Sequence, residues 1–182
     1  VIAVRGNLSE PDDVREVGLS DVIIWGDTER ERGQMPIMFP DVPPKRNNKR
    51  PKNNIEAAFI GDIHIGAEKF HPEYWNNFVD WIRKTSSVRY IFIVGDLVEG
   101  IGVYPDQKEE LDIVDIYDQY AMMGKMLDLI PDDVKIFTTV GNHDTVRLSE
   151  PQPTLDEKFT KYFPDNVEFL GNPININLGG VE

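Results

Sequence analysis

From residue 55 onward the sequence predicts an α/β layered domain with an extensively buried sheet. Three observations predict it. Short apolar runs alternate with segments whose apolar residues keep helical spacing. One run, VRYIFIVGD, is continuously apolar, as expected of a strand buried on both faces. Three successive runs close on a glycine followed by Asp or Asn, in GDIHIG, GDLVEG and GNHD.

Taken in chain order, residues 1–40 hold the strand-like runs VIAVRG, DVIIWG and MPIMFP, separated by Gly, Asp, Glu and Pro clusters. They read as the last strands of a small β domain. Residues 41–54, DVPPKRNNKRPKNN, are Pro-rich, basic and polar, and read as a linker. EAAFIGD is the first strand of the main domain. PEYWNNFVDWIRK spaces Trp75, Phe78, Trp81 and Ile82 as a helix does. A long helix is expected from about Lys108 to Ile130, with its methionines as core filler. PDDVKIFTTVGNHD supplies a third strand. PTLDEKFTKYF reads as a short helix with Pro153 near its start. NVEFLG and ININ are further strand candidates.

Composition narrows the function classes. The 182 residues are 40% hydrophobic and 10% aromatic, enough for a packed core. No run approaches the ~18 apolar residues of a membrane span, and no signal peptide is visible. The absence of cysteine excludes disulfides and thiolate metal sites and fits a reducing cytoplasm. A formal net charge of −13 argues against holding nucleic acid by a global field, so phosphate recognition must be local. KRNNKRPK, residues 45–52, holds five of the 19 basic residues and reads either as a solvated linker or as one that touches DNA or a partner.

The candidate chemistry sits at the three strand ends: Asp62 and His64, then Asp96 and Glu99, then Asn142, His143 and Asp144. Ligands gather outside the carboxyl ends of strands in open α/β sheets. If the strands are parallel neighbours, the three clusters converge. Carboxylate, imidazole and amide oxygen suit Mn²⁺, Fe²⁺, Zn²⁺ or Mg²⁺. The one-residue gap in Asp62-Ile63-His64 turns both side chains to one side, provided the backbone stays extended. Asp96 stands where one carboxylate would bridge two cations, and two cations could activate water for in-line attack on phosphorus. Each motif alone is ordinary turn chemistry; the three in this order are not.

The ordered set GDIHIG, GDLVEG, GNHD resembles the calcineurin-like metallophosphoesterases. GIGVYPDQKEELDIVDIYDQY and GNHDTVRLSEPQP are further similar to stretches of the small subunits of archaeal family D DNA polymerases. The resemblance implies a β-sandwich flanked by helices, here its N-terminal part over residues 55–182, preceded by the end of an OB-like β domain in residues 1–40. It implies two divalent metals, Mn²⁺ foremost, with Asp62 and His64 on the first, Asp96 bridging and Asn142 on the second. His143 would stand over the scissile phosphate, and Asp144 would orient His143 or its loop. Glu99 stands either behind a ligand or on the surface. Arg147 either touches substrate phosphate or forms a structural ion pair. His71, at a helix start, reads as structural or exposed. Further histidine ligands are expected beyond Glu182, so weak metal binding and poor activity are expected of this stretch alone.

The function so implied is a metal-dependent 3′→5′ proofreading exonuclease on DNA 3′ ends, in a cytoplasmic, nucleoid-associated polymerase with a large catalytic subunit and a sliding clamp as partners. The alternatives are a non-catalytic scaffold subunit, or a repair nuclease or other phosphoesterase of the same superfamily.

Overall fold

A computed structural model of the chain describes residues 2–7, 21–24 and 55–178. Strands β1 (Ile2–Asn7) and β2 (Asp21–Ile24) are followed by β3 (Glu56–Ile60), helix α1 (Pro72–Lys84), β4 (Val88–Val94), a 3-10 turn at Gln107–Glu110, α2 (Ile116–Leu127), β5 (Lys135–Thr139), α3 (Glu157–Thr160) and β6 (Val167–Phe169). The strands form one sheet in the order β2-β1-β3-β4-β5-β6. β3 to β6 are parallel; β1 pairs antiparallel with both β3 and β2. The run MPIMFP, the linker with its basic cluster, and an OB-like unit as a whole lie outside the described residues.

Register divides the strands into two faces. Ala58, Ile91 and Ile136 stand side by side, as do Ile60, Ile93 and Thr138. These six are 0–2% exposed. Their hydrophobic members form one cluster with Trp75, Phe78, Val79 and Ile82 of α1 and Tyr120, Met123 and Leu127 of α2. Each fully buried isoleucine contributes about 2 kcal/mol of transfer free energy. The Trp75 indole donates to the Met126 carbonyl at 3.2 Å, which fixes α1 against α2.

The other face carries Phe59, Phe92 and Phe137 in one row, their rings stacked at 4.7 and 5.3 Å. Among the described residues this face is covered only in part, by the segment around Leu170, Ile174 and Ile176, leaving an apolar hollow of about 450 Å³. Phe59 and Val94 stay 46% and 61% exposed. Among the described residues VRYIFIV is therefore fully buried on one face and only partly on the other, where burial on both was expected.

Three element boundaries also differ from expectation. The long helix begins at Ile116, not near Lys108. The Asp115 carboxylate accepts from the amides of Tyr117 and Asp118 and so caps α2 there, leaving Ile113 outside. The short helix begins after Asp156, which caps it through the Lys158 amide, so Pro153 lies outside it. ININ forms no strand. Met123 and Met126 are core residues, whereas Met122 is 37% exposed. α1 matches its predicted span, with Pro72 at its start, Glu73 in its first turn and Arg83 and Lys84 in its last, each favourable to the helix dipole.

Candidate metal centre

Because β3, β4 and β5 are parallel neighbours, their carboxyl ends lie together, and so do the three motifs. The pairing continues past the strands. The amides of Ile63 and His64 both donate to the Asp96 carbonyl, at 2.9 and 3.1 Å, and the Ile65 amide donates to the Leu97 carbonyl. Ile63 and Ile65 turn into the core, 3% and 1% exposed. The backbone between the ligand candidates is not extended as expected. Asp62, His64 and Asp96 all adopt left-handed conformations, at φ 53°, 52° and 50°. That twist lets the isoleucines stay buried while the polar side chains face out.

The polar side chains still meet. His64 Nε2 lies 3.8 Å from Asp62 Oδ1 and 3.9 Å from Asp96 Oδ2. These separations are too long for hydrogen bonds. The ligand atoms of the three residues lie within 4.8 Å of one another, and two carboxylates with one imidazole fit a divalent first-row cation. Electrostatics point the same way. Asp62, then Glu99 and Asp96, raise the pKa of His64 against the opposing effect of burial. His64 in turn lowers that of Asp62. The pocket stabilises positive charge between its carboxylates.

Glu99 settles into the interior, at 6% exposure. Its carboxylate takes His64 Nδ1 at 2.7 Å, which turns Nε2 toward Asp62 and Asp96. Its backbone carbonyl takes His143 Nδ1, also at 2.7 Å. One residue thus orients both imidazoles, which meet edge to face at 4.5 Å. Glu99 is itself held by Gln107 and by the Tyr104 hydroxyl, each at 3.0 Å. Burial opposes its charge, but these two hydrogen bonds and His64 outweigh it, and its pKa is lowered.

The third motif is fastened to the second. The His143 amide donates to Asp96 Oδ1 at 2.9 Å, leaving Oδ2 on the His64 side. Gly141 passes so close that a Cβ there would collide with the Asp96 carboxylate. Asp144 is 4% exposed and accepts from the amides of Gly141, at 2.8 Å, and Leu97, at 3.1 Å. It orients the two loops rather than the His143 ring. Burial, with a smaller contribution from the Asp96 charge, pushes its pKa up to about 6. Asn142 is exposed beside His143. Arg147 neither lines the cleft nor pairs with a carboxylate among the described residues; its guanidinium donates to the Pro151 carbonyl. His71 is exposed, beside Glu73 and edge-on to Tyr74.

Sequence reasoning missed Tyr104, Gln107 and Gln119. Gln119 is fully buried in α2 and grips both the amide and the carbonyl of Gly100. The first two lie in the string VYPDQKEEL, which is part of the stretch that carries the family resemblance but follows no ligand spacing.

A cleft of about 610 Å³ opens beside Asp62, His64 and His143. A parallel α/β sheet with this carboxylate–imidazole cluster at its strand ends has the architecture of a metallophosphoesterase domain. The chain belongs to the calcineurin-like phosphoesterase family, whose model matches residues 55–180. Membership implies divalent metal ions. Among curated proteins the chain is 40% identical over its whole length to the DNA polymerase II small subunit of Halobacterium salinarum. It is 41% and 42% identical over 80% of its length to those of Archaeoglobus fulgidus and Methanocaldococcus jannaschii. It spans 33%, 32% and 26% of these relatives' own lengths. Among the described residues no helix is long and apolar enough to cross a membrane.

Proposed function

We propose that this chain carries the nuclease centre of an archaeal replicative polymerase small subunit, removing nucleotides from DNA 3′ ends. The observation that supports it most is the convergence of Asp62, His64, Asp96 and His143 at the ends of three parallel strands. The relatives' names supply the polymerase context, and with it a large catalytic subunit as partner. Asp62 and His64 would hold a first divalent ion, Asp96 would reach both, and Asn142 would reach a second, with Mn²⁺ as the foremost candidate. Such ions supply positive charge to phosphoryl oxygens and acidify water. His143, tied through Nδ1 to the Glu99 carbonyl, keeps Nε2 for a proton destined for the departing 3′-oxygen. Glu99 fixes the ring of His64, and Asp144 fixes the loops that carry Asp96 and His143.

The test uses the full-length protein with its large subunit, on single-stranded and mismatched 3′ ends with Mn²⁺. His143→Ala is expected to lower nucleotide release by roughly 10²- to 10⁴-fold. A variant as active as the parent rejects the role of His143. A parent that releases nothing with any divalent metal turns the reading to a scaffold subunit, which the exposed apolar residues Phe59, Val94 and Leu148 favour.

A further inference from the structure

The string GIGVYPDQKEEL supplies no atom to the metal cluster, yet Tyr104 and Glu110 from it line the cleft. Tyr104 is 36% exposed. Its hydroxyl is anchored at 3.0 Å to Glu99 and lies 3.4 Å from Glu110, so the ring is held in place. Its centroid lies 6.2 Å from that of His143. Phe70, His71 and Tyr74 line the same cleft, with the His71 and Tyr74 rings 5.4 Å apart. A rigid, half-exposed aromatic beside a phosphodiester site offers what an unpaired base requires, a flat apolar face whose ordering is already complete.

We propose that Tyr104 binds the substrate by stacking. The base of the 3′-terminal nucleotide lies against its ring while the scissile phosphodiester lies at Asp62, His64 and His143. The proposal rests on the nuclease reading and names the part of the DNA that its cleft receives. The other cleft residues support a chain end over a continuing strand. Glu68 and Glu110 face the same space with Lys69 as the lysine among the lining residues, so a further phosphate is disfavoured where a neutral base is tolerated. Stacking accepts all four bases, since each has a π-face.

Two readouts test this on the full-length protein with its large subunit. The first is quenching of 2-aminopurine placed at the 3′ end of single-stranded DNA, in Ca²⁺ to prevent cutting. The second is the ratio of cleavage rates, in Mn²⁺, for a base-bearing and an abasic 3′-terminal residue. The parent is expected to quench and to prefer the base-bearing end by on the order of tenfold or more. Tyr104→Phe keeps the ring but loses its anchor to Glu99, and should weaken both signals without abolishing either. Tyr104→Leu should lose the quench and cut both ends at one rate. A purely structural role through Glu99 would lower both rates together and leave the ratio unchanged. Undiminished quenching in Tyr104→Leu, or a parent indifferent to the base, overturns the proposal and leaves the nuclease reading intact. A parent that quenches through Tyr104 but cuts nothing keeps the base site and removes the nuclease reading; one that does neither removes both.

Discussion

The two faces of β3, β4 and β5 are built from the same apolar strands and end in different states. One face presents Ala58, Ile60, Ile91, Ile93 and Ile136, all 0–2% exposed beneath α1 and α2. The other presents a row of three phenylalanines with Phe59 and Val94 largely open among the described residues. Strand composition announces that a residue belongs in a sheet but does not say which face has a cover. The cover is decided by elements elsewhere in the chain. α1 and α2 pack together on one side, as expected where parallel strands follow one another in unbroken order through connections of a single hand.

Four measurements press on this contrast, from the largest expected effect to the smallest. Ile91→Ala, at the centre of the covered face, is expected to lower unfolding free energy by about 3 kcal/mol in urea titration. Asp144→Ala, at the end of the sheet, leaves the buried amide of Leu97 and the part-buried amide of Gly141 without their acceptor and is expected to cost about 2 kcal/mol in the same titration.

The third measurement is pH-dependent and uses chelator throughout. Folding raises the Asp144 pKa from 3.8 to about 6, so the folded state favours its protonated form. Its contribution is full below the unfolded value and is lost as pH rises through about 6, an effect on the order of 2 kcal/mol. Asp144→Asn, which does not ionise, should lack that part of the decline when the two proteins are unfolded side by side from pH 4 to pH 7. Fourth, Val94→Thr on the open face is expected to change stability by less than about 0.5 kcal/mol. A cost for Val94→Thr equal to that of Ile91→Ala would mean that the second face is as well covered in solution as the first, and the contrast would fall.

Much of the site was legible because its chemistry is written in residue types that strand interiors exclude. Asp62, His64, Asp96 and His143 each follow an apolar run, and parallel pairing then brings them together without further information. Glu99 was visible but ambiguous, since its place depends on His64 and Gln107 approaching from other loops. Tyr104, Gln107 and Gln119 were not legible. Their roles rest on hydrogen bonds to backbone groups and to one carboxylate across loops that have no period. The helix start at Asp115 was obscured by apolar spacing that includes Ile113, and the start at Asp156 by the preference of proline for a helix start, which pointed to Pro153.

The left-handed backbone at Asp62, His64 and Asp96 has a consequence for how such a site persists. A non-glycine residue there costs on the order of 1 kcal/mol or more. Glycine would relax the backbone at any of the three. At His64, however, it would strip the buried Glu99 carboxylate of a partner, and at Asp96 it would strip the His143 amide of its acceptor. Only at the exposed Asp62 is the exchange free of that cost. The strain at His64 and Asp96 is thus tied to the hydrogen bonds that join the three strand-end loops, whereas Asp62 carries its strain with its side chain open to the cleft.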